Sequence, residues 1–448
     1  MAERDLAVLI LNRWEKRKRL PEEVLKVFRS YNLNPTQRAF VFHLVYGTIR
    51  WLKRLDWVIQ WASDRSIKRI RPVLKNIIRV ALYQILFMER VPDSAAVNEA
   101  VNQTKRWGYG FAGPFVNGLL RRVCREKGDI PYPDPESDII RYLTVYYSFP
   151  SWLIKYYLDQ FGLEQTISVL SSQNQVSPLC IRVNSLKIER DHLLKELRSK
   201  GIDAKAGIIS PQAIWINGIR SAIEDLSFYK KGLYSVQSEA SQLVSLLLSP
   251  QSGSLVMDIC AGHGGKSIHM AEIMKDRGRI VTIDIDLHSI LDLKSEAERC
   301  AINSIECVVS DAQRDLCIKR DIHFDYILID APCSGSGIIG RHPDIKWNRE
   351  RDDLQRLTRI QKEILENACH FLKPKGLMLY VTCSILREEN EEIILEFLKR
   401  QKDFSLVDIY QRGGDMFKRF RTEEGFFRTY PHVHGLDGFF GALITKDR

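Results

Sequence analysis

The sequence predicts a multidomain chain: an all-helical N-terminal domain over residues 1–127, a linker over 128–138, a small α+β module over 139–250, and a C-terminal α/β domain over 251–448 built on a parallel, doubly wound sheet. Three observations predict it. Apolar residues recur at three- and four-residue spacing through the first part, the period of a helix face. Gly128 to Asp138 is rich in proline and acid (Pro131, Pro133, Pro135), as linkers are. From Ser254 onward, short apolar runs alternate with helical patterns, and alternating strand and helix implies parallel strands with crossover helices.

In the first domain the helical stripe runs through Val41, Leu44, Val45, Ile49, Leu52 and Leu55, and again through Val73, Ile77, Val80, Ala81, Gln84 and Ile85. Pro21, Pro35, Pro72 and Pro92 fall between such runs and mark helix starts or loops; five to seven helices fit the length. In the module, Leu179–Val183, Ala213–Ile216 and Gly232–Val236 read as strands and Arg190–Lys200 as a helix capped by Gly201. The C-terminal domain reads as strands Leu255–Ile259, Arg279–Ile283, Ile305–Val309, Tyr326–Ile329 and Leu377–Val381. Its helices are Ser267–Lys275, His288–Cys300 and Arg351–Leu372, and two late strands, Phe426–Tyr430 and Phe439–Ile444, end the chain.

Of the net charge of +10, residues 1–130 carry +13 and the remainder −3. Basic asymmetry points towards a polyanion, with nucleic acid the first candidate; Arg38, Arg50, Lys53, Arg54, Lys68, Arg69 and Arg71 form a candidate phosphate-binding face. No apolar run reaches the ~18 residues of a membrane span, and the start has no signal-peptide pattern, so no membrane partner is expected. Nine cysteines lie singly, without a C-x-x-C pair. That excludes a disulfide framework and a zinc site and fits a reduced, cytoplasmic setting.

The first C-terminal strand runs into Cys260-Ala261-Gly262-His263-Gly264-Gly265-Lys266-Ser267. Glycines there let the backbone turn sharply beside a ligand at a helix N-terminus. The spacing is a near miss for the P-loop, with Cys260 where its first glycine belongs, so a nucleotide triphosphatase is a competitor. The second strand ends in Asp284, where an acid meets ribose hydroxyls in such sheets; the third ends before Asp311 and the fourth at Asp330. An edge lined with carboxylates repels a triphosphate. It suits a cofactor with ribose hydroxyls, an adenine amine and positive charge, and S-adenosylmethionine has all three.

The fourth strand delivers Asp330-Ala331-Pro332-Cys333-Ser334-Gly335-Ser336-Gly337, and the fifth ends in Thr382-Cys383-Ser384. Neighbouring parallel strands bring Cys333, Cys383 and Asp330 to one edge. Two thiols and an acid beside an adenosyl cofactor suit methylation at carbon 5 of a pyrimidine. A thiolate adds to carbon 6, an acid near ring nitrogen 3 stabilises the adduct, and a base removes the carbon-5 proton so that the thiol can leave.

These residues, with Arg341-His342-Pro343-Asp344-Ile345-Lys346-Trp347 and Asp437-Gly438-Phe439-Phe440, resemble almost end to end the bacterial small-subunit (16S) ribosomal RNA cytosine-C5 methyltransferases of the B type, the Sun or Fmu family. The resemblance implies an RNA-binding N-terminal domain of the NusB antitermination-factor fold joined to a Rossmann-like methyltransferase domain; the α+β module reads either as an RNA-binding subdomain or as the N-terminal extension of the methyltransferase domain. It implies that Cys383 is the nucleophile, that Cys333 assists product release, and that Cys260, Ala261, Gly262, His263, Gly264, Gly265, Lys266, Asp284, Asp311 and Asp330 hold S-adenosylmethionine. No metal is implied. The expected partner is 16S rRNA before full subunit assembly, and the expected state a monomer. The family loop usually reads Cys-Ala-Ala-Pro-Gly-Gly-Lys; here Gly262-His263 stands in place of Ala-Pro. DNA cytosine-C5 enzymes also use a Pro-Cys thiol, and there it is the attacker; the Thr-Cys-Ser setting of Cys383 favours the RNA type. The same chemistry on transfer RNA or another rRNA position, and a non-catalytic RNA-binding assembly factor, are the alternatives.

Overall fold

A computed structural model describes residues 1–217, 223, 226–314 and 316–447. The chain forms two compact units. The first holds residues 1–175 together with 342–349, and the second residues 176–341 and 350–448. The expected 139–250 module contains residues 218–222, 224 and 225, which lie outside the described residues, as do 315 and 448.

The first unit is helical. Helices Glu3–Arg17, Leu20–Ser30, Pro35–Arg50, Leu52–Ser63, Pro72–Phe87, Asp93–Arg106 and Gly113–Glu126 are followed by Ile139–Tyr146 and Ser151–Gln173. Pro21, Pro35 and Pro72 each sit in a first turn, where a missing N–H costs nothing, and Asn34 closes a capping box with Gln37. Pro72–Phe87 is buried almost all round and forms the axis of the unit. Its polar residues are satisfied inside. Arg79 binds Asp56 bidentately at 2.6 and 2.7 Å and Glu15 at 2.6 Å, and Gln84, the break in the stripe, bonds Val80 O and Arg4. Arg50 leaves the expected phosphate face. It ends the unbroken buried run Leu44–Arg50 and is only 4% exposed. Arg54 is half-buried over the rings of Tyr146 and Tyr132, at 4.3 and 4.7 Å. Lys53, Lys68, Arg69 and Arg71 are exposed as expected.

Segment 342–349 packs with these helices through two residues of the Arg341–Trp347 motif. Lys346 Nζ is buried within hydrogen-bond distance of Arg50 O (2.8 Å), Ser148 O (2.9 Å) and Asn174 Oδ1 (3.2 Å), while burial, then the Arg50 charge, pushes its pKa well below the ordinary lysine value. Trp347 Nε1 donates to Ile49 O at 2.8 Å.

The second unit has two sheets. Strands β1 (Leu179–Val183), β2 (Asp203–Ala206), β3 (Ala213–Asn217) and β4 (Tyr234–Val236) form an antiparallel sheet in the order β2-β3-β1-β4, covered by helix Arg190–Ser199. The larger sheet contains β5 (Leu255–Ile259), β6 (Arg279–Asp284), β7 (Ile305–Val309), β8 (Phe324–Asp330), β9 (Leu372–Thr382), β10 (Phe404–Leu406), β11 (Phe427–Thr429) and β12 (Phe439–Lys446). Its order is β10-β12-β9-β8-β5-β6-β7, with β11 beside β12. The five strands β5 to β9 are parallel, and β12 runs antiparallel to β9, so the sheet is mixed. The central strand β8 carries the apolar run Tyr326–Ile329 because apolar residues pack on both faces of the sheet. The chain winds outward through β6 and β7, then crosses to β8 and β9 on the other side of β5. The direction of winding reverses between β5 and β8, and ligands bind open α/β sheets beyond the carboxyl ends of the strands at such a point.

Candidate active site

The loop after β5 and the loop after β8 meet at this reversal. At the end of β5, Cys260 takes a left-handed backbone conformation (φ 61°), and the loop then enters helix Gly265–Ile273. Gly264 has φ 80°, and a Cβ there would lie 2.4 Å from Leu293 Cγ, so glycine is required both for conformation and for space. Ser267 Oγ donates to the buried Asp258 at 2.5 Å, tying the helix start to β5. Burial pushes the Asp258 carboxyl up to about 7; the Ser267 bond opposes this and the charges of Asp330 and Asp284 add to it.

Asp284 shapes the loop from the next strand. One of its carboxylate oxygens accepts the Gly262 N–H at 2.8 Å and the other the Asp286 N–H at 2.9 Å. Asp311 accepts Gln313 N–H at 3.1 Å and pairs with the exposed Arg314. The exposed Ile285 and Val309 lie beside these acids and offer apolar surface at the same edge. Lys266 Nζ donates to Asp330 Oδ2 at 2.5 Å. Burial alone would lower the lysine's pKa, but Asp330 more than offsets this and raises it, so Lys266 keeps its charge. A P-loop lysine faces phosphates; here Lys266 is engaged by a carboxylate. The Cys260 thiol is pushed up by burial and then by Asp284, Asp330, Asp258 and Asp311, which holds it neutral and places all four acids around one loop.

Parallel pairing of Asp330 with Val381 brings the ends of β8 and β9 together, and Cys333 Sγ lies 3.3 Å from Cys383 Sγ. The Cys333 thiol is raised well above its ordinary range, first by its hydrogen bond to Cys383, then by burial and the Cys383 charge. Lys266 interacts electrostatically with Cys383. The two turns are locked beneath the sulfurs. Glu389 is fully buried and accepts Ser334 N–H (2.7 Å), Ser334 O–H (2.6 Å) and Gln361 Nε2 (3.1 Å). Ser384 Oγ lies 3.2 Å from Ser334 Oγ and 3.0 Å from Ser336 Oγ, while Asn390 Nδ2 donates to Ser384 O at 3.0 Å. Gly337 packs backbone to backbone on Gly438, where a Cβ would meet Gly438 O at 2.0 Å. Arg341 grips Asp437 at 2.7 and 2.9 Å. That contact accounts for the Asp437-Gly438 part of the late motif.

The structure therefore brings Cys260, Gly262, Gly264, Gly265, Lys266, Asp284, Asp330, Cys333 and Cys383 to one edge of the sheet. His263 takes part through its backbone only, since its 75%-exposed side chain pairs with Asp292 at 3.2 Å. The groups present fit an adenosyl cofactor. Helix Gly265–Ile273 begins without a side-chain cap, so its first N–H groups suit a carboxylate. Asp284 and Asp311 suit hydroxyls, and Ile285 and Val309 suit an aromatic face.

Three family models match the chain: NusB family over residues 1–125, the ferredoxin-like domain of RsmF/B-like methyltransferases over 149–221, and 16S rRNA methyltransferase RsmB/F over 245–445. The Bacillus subtilis protein named "Probable ribosomal RNA small subunit methyltransferase B" is 33% identical over 445 residues, covering 99% of this chain and 98% of its own. The chain belongs to the 16S rRNA methyltransferase RsmB/F family. The crystal structure of a protein designated PH0851 covers 100% of this chain and 99% of its own at a TM-score of 0.82 and 28% identity. NSun6 from Pyrococcus horikoshii, determined with SFG, covers 67% of this chain and 99% of its own at 0.60 and 21%, a likeness of fold.

Membership in the RsmB/F family makes the chain an S-adenosylmethionine-dependent rRNA methyltransferase, with a NusB helical domain, a ferredoxin-like domain and a mixed-sheet methyltransferase domain. Among the described residues no helix is long and apolar enough to cross a membrane. Sequence reasoning passed over one residue of this family member that reaches the cofactor loop. Arg182 on β1 is fully buried; it binds Glu272 at 2.9 and 3.1 Å, donates to Gly265 O at 2.7 Å, and also bonds Gln237. A lone charge within the apolar run Leu179–Val183 was the available signal. Glu389 carried none, because it stands in an acidic run that reads as solvated surface.

Proposed function

We propose that the chain methylates carbon 5 of a cytosine in 16S rRNA through a covalent adduct at carbon 6, with Cys383 as nucleophile, Cys333 as the group that clears the product, and Asp330 as the acid beside the ring. The observation that carries the reading is the thiol pair at 3.3 Å beside the Lys266–Asp330 ion pair, at the reversal point of the sheet. Residues 260–266 with Asp284, Asp311 and Asp330 would hold S-adenosylmethionine. When bound there, the cofactor supplies an electrophilic methyl group to carbon 5.

The chain's own residues divide the remaining work. Cys383 is the sulfur that attacks: it directly follows β9 in the Thr382-Cys383-Ser384 turn, and the Lys266 ammonium interacts with it electrostatically, while Cys333 is raised by its bond to Cys383. Once the Cys383 sulfur is bonded to carbon 6, its hydrogen bond to Cys333, the largest cause of the raised Cys333 pKa, is gone. Cys333 can then release its own proton to solvent, and the resulting thiolate takes the carbon-5 proton while the electron pair of that C–H bond expels the Cys383 thiolate. The adduct needs a cytosine drawn out of its stack, which favours RNA not yet buried in an assembled subunit. The +13 of residues 1–130 supports RNA capture by the N-terminal domain, 1–127, joined through 128–138 to the 139–250 module and the 251–448 catalytic domain. We take the working form to be a cytoplasmic monomer.

Bisulfite sequencing of 16S rRNA and transfer RNA from cells lacking the protein tests this. One 16S cytosine should lose its resistance to deamination and regain it on incubation with purified protein and S-adenosylmethionine. An unchanged 16S pattern overturns the substrate, and a change confined to transfer RNA establishes the alternative.

A further inference from the structure

A second concave surface lies in the helical unit, away from the thiols in sequence. A cavity of about 340 Å³ is lined by Arg65, Arg69, Ile70, Arg71, Leu74, Phe111, Ala112 and Phe115. Its floor is apolar, with Ile70, Leu74 and Ala112 buried. Its rim carries cations and rings. Arg65, Arg69 and Arg71 are exposed, and among the described residues none of them forms an ion pair. The acid next to Arg65 in sequence, Asp64, is already paired with Arg122 at 3.1 Å. Phe111 is 76% exposed, a large apolar side chain left in water. Arg65 lies over the Phe115 ring at 5.2 Å, and Arg71 lies over Tyr109 at 5.7 Å, whose ring in turn meets Phe111 edge-on at 6.2 Å.

Two helix starts add to the positive potential. Pro72–Phe87 begins at Arg71 and Gly113–Glu126 begins at Ala112, both lining residues of the cavity, so the positive ends of two helix dipoles lie at its wall. Arginines that track a backbone, with a ring on which a base can stack, are the elements of single-strand recognition. An acidic peptide would answer the arginines but leave the exposed ring without a planar partner. The volume is at the lower end of that for small-ligand sites, enough for one nucleotide rather than a duplex.

We propose that this cavity is a binding site for one unpaired nucleotide of single-stranded RNA. Its base stacks on Phe111 and its flanking phosphates lie on Arg65, Arg69 and Arg71. The site rests on the RNA-modifying reading above and extends it. The substrate is gripped by a second, sequence-tolerant contact distinct from the pocket that takes the reacting cytosine.

The test uses the full chain and a mixed-sequence single-stranded RNA oligonucleotide, read by fluorescence anisotropy across a salt series, with methyl transfer to a 16S transcript measured in parallel. Phe111→Ala should weaken oligonucleotide binding roughly fivefold or more, as loss of one stacked base does. The combined change Arg65→Ala, Arg69→Ala, Arg71→Ala should weaken it further and flatten the salt dependence. A control that removes three exposed cations elsewhere on the unit (Lys16→Ala, Arg29→Ala, Arg90→Ala) should have a clearly smaller effect. Affinity for S-adenosylmethionine should be unchanged in all. Phe111→Ala binding as wild type, or the control losing as much as the arginine variant, overturns the site. So does competition by an acidic peptide but not by RNA. A wild-type chain that binds the oligonucleotide but methylates no 16S transcript overturns the functional reading and leaves the site standing.

Discussion

Replacing Asp284 probes how far the cofactor edge depends on a single carboxylate. Its two oxygens are each already engaged by a backbone N–H, Gly262 at 2.8 Å and Asp286 at 2.9 Å, while lone pairs remain for ribose hydroxyls. Asp284→Ala removes the ribose acceptors and releases the loop at Gly262 together. A hydrogen bond to a charged group contributes about 1.5–3 kcal/mol. Losing one such bond to the cofactor weakens binding about tenfold, and losing two about a hundredfold or more, at ~1.4 kcal/mol per factor of ten. Asp284→Asn is the sharper variant. It is nearly the same size, but its NH2 group must face one of the two backbone N–H groups, donor against donor. It should therefore behave like alanine rather than like wild type. Titration calorimetry of the full chain with S-adenosylmethionine measures the affinity, and circular dichroism melting confirms that the fold survives. Wild-type affinity in either variant would refute the assignment of Asp284 to the ribose and to the loop.

Two further predictions concern what holds the site. Arg182→Met leaves Glu272 buried without its cation; burial already raises that carboxyl, so urea unfolding should show a loss of about 3–5 kcal/mol and weaker cofactor binding through Gly265, and a loss under about 1 kcal/mol would contradict the anchoring role. His269 is fully buried in the same helix, neither ring nitrogen has a partner among the described residues, and burial, then Arg182, depresses its pKa well below the usual 6.5. The unfolded imidazole takes a proton as pH falls through about 6.5 while the folded one does not, so this part of the stability is present above that pH and lost as pH drops below it. His269→Leu should flatten the fall in urea midpoint between about pH 7.5 and 5.5, and parallel profiles for variant and wild type would contradict it.

Much of this site was legible because its residues stand at strand ends. Short apolar runs, each broken by one charge (Arg182, Asp258, Glu306), announced β1, β5 and β7 at their observed bounds, and a chain leaving such a strand delivers its next residues to the carboxyl edge. That logic placed Asp284, Asp330, Cys333 and Cys383 together without any distance. It could not show that Lys266 faces Asp330, 64 residues away, because ion pairs across a sheet leave no local pattern. Nor could it find β2, whose four residues Asp203-Ala204-Lys205-Ala206 include no β-branched or aromatic side chain and are ordered by pairing with β3. Arg50 was misjudged for the opposite reason. Its charge reads as surface, yet it closes the buried end of a helix, and Lys346 reaches that same end from a segment nearly 300 residues on. Lys346 looked like one more basic residue in a motif, while three carbonyl oxygens assembled from distant parts of the chain are what allow it to be buried.

The central claim is the division of labour between the two thiols, and one denaturing gel tests it most directly. Wild type, Cys333→Ala, Cys383→Ala and the double variant are incubated with labelled 16S transcript and S-adenosylmethionine, then denatured. With Cys383 as nucleophile, Cys333→Ala still attacks and methylates but cannot clear the carbon-5 proton. It should accumulate a covalent protein–RNA band that requires the cofactor. Cys383→Ala and the double variant should be inactive and show no such band. The arrangement in which Cys333 attacks predicts the reverse. A shifted band in Cys383→Ala, or none in Cys333→Ala, would contradict the account.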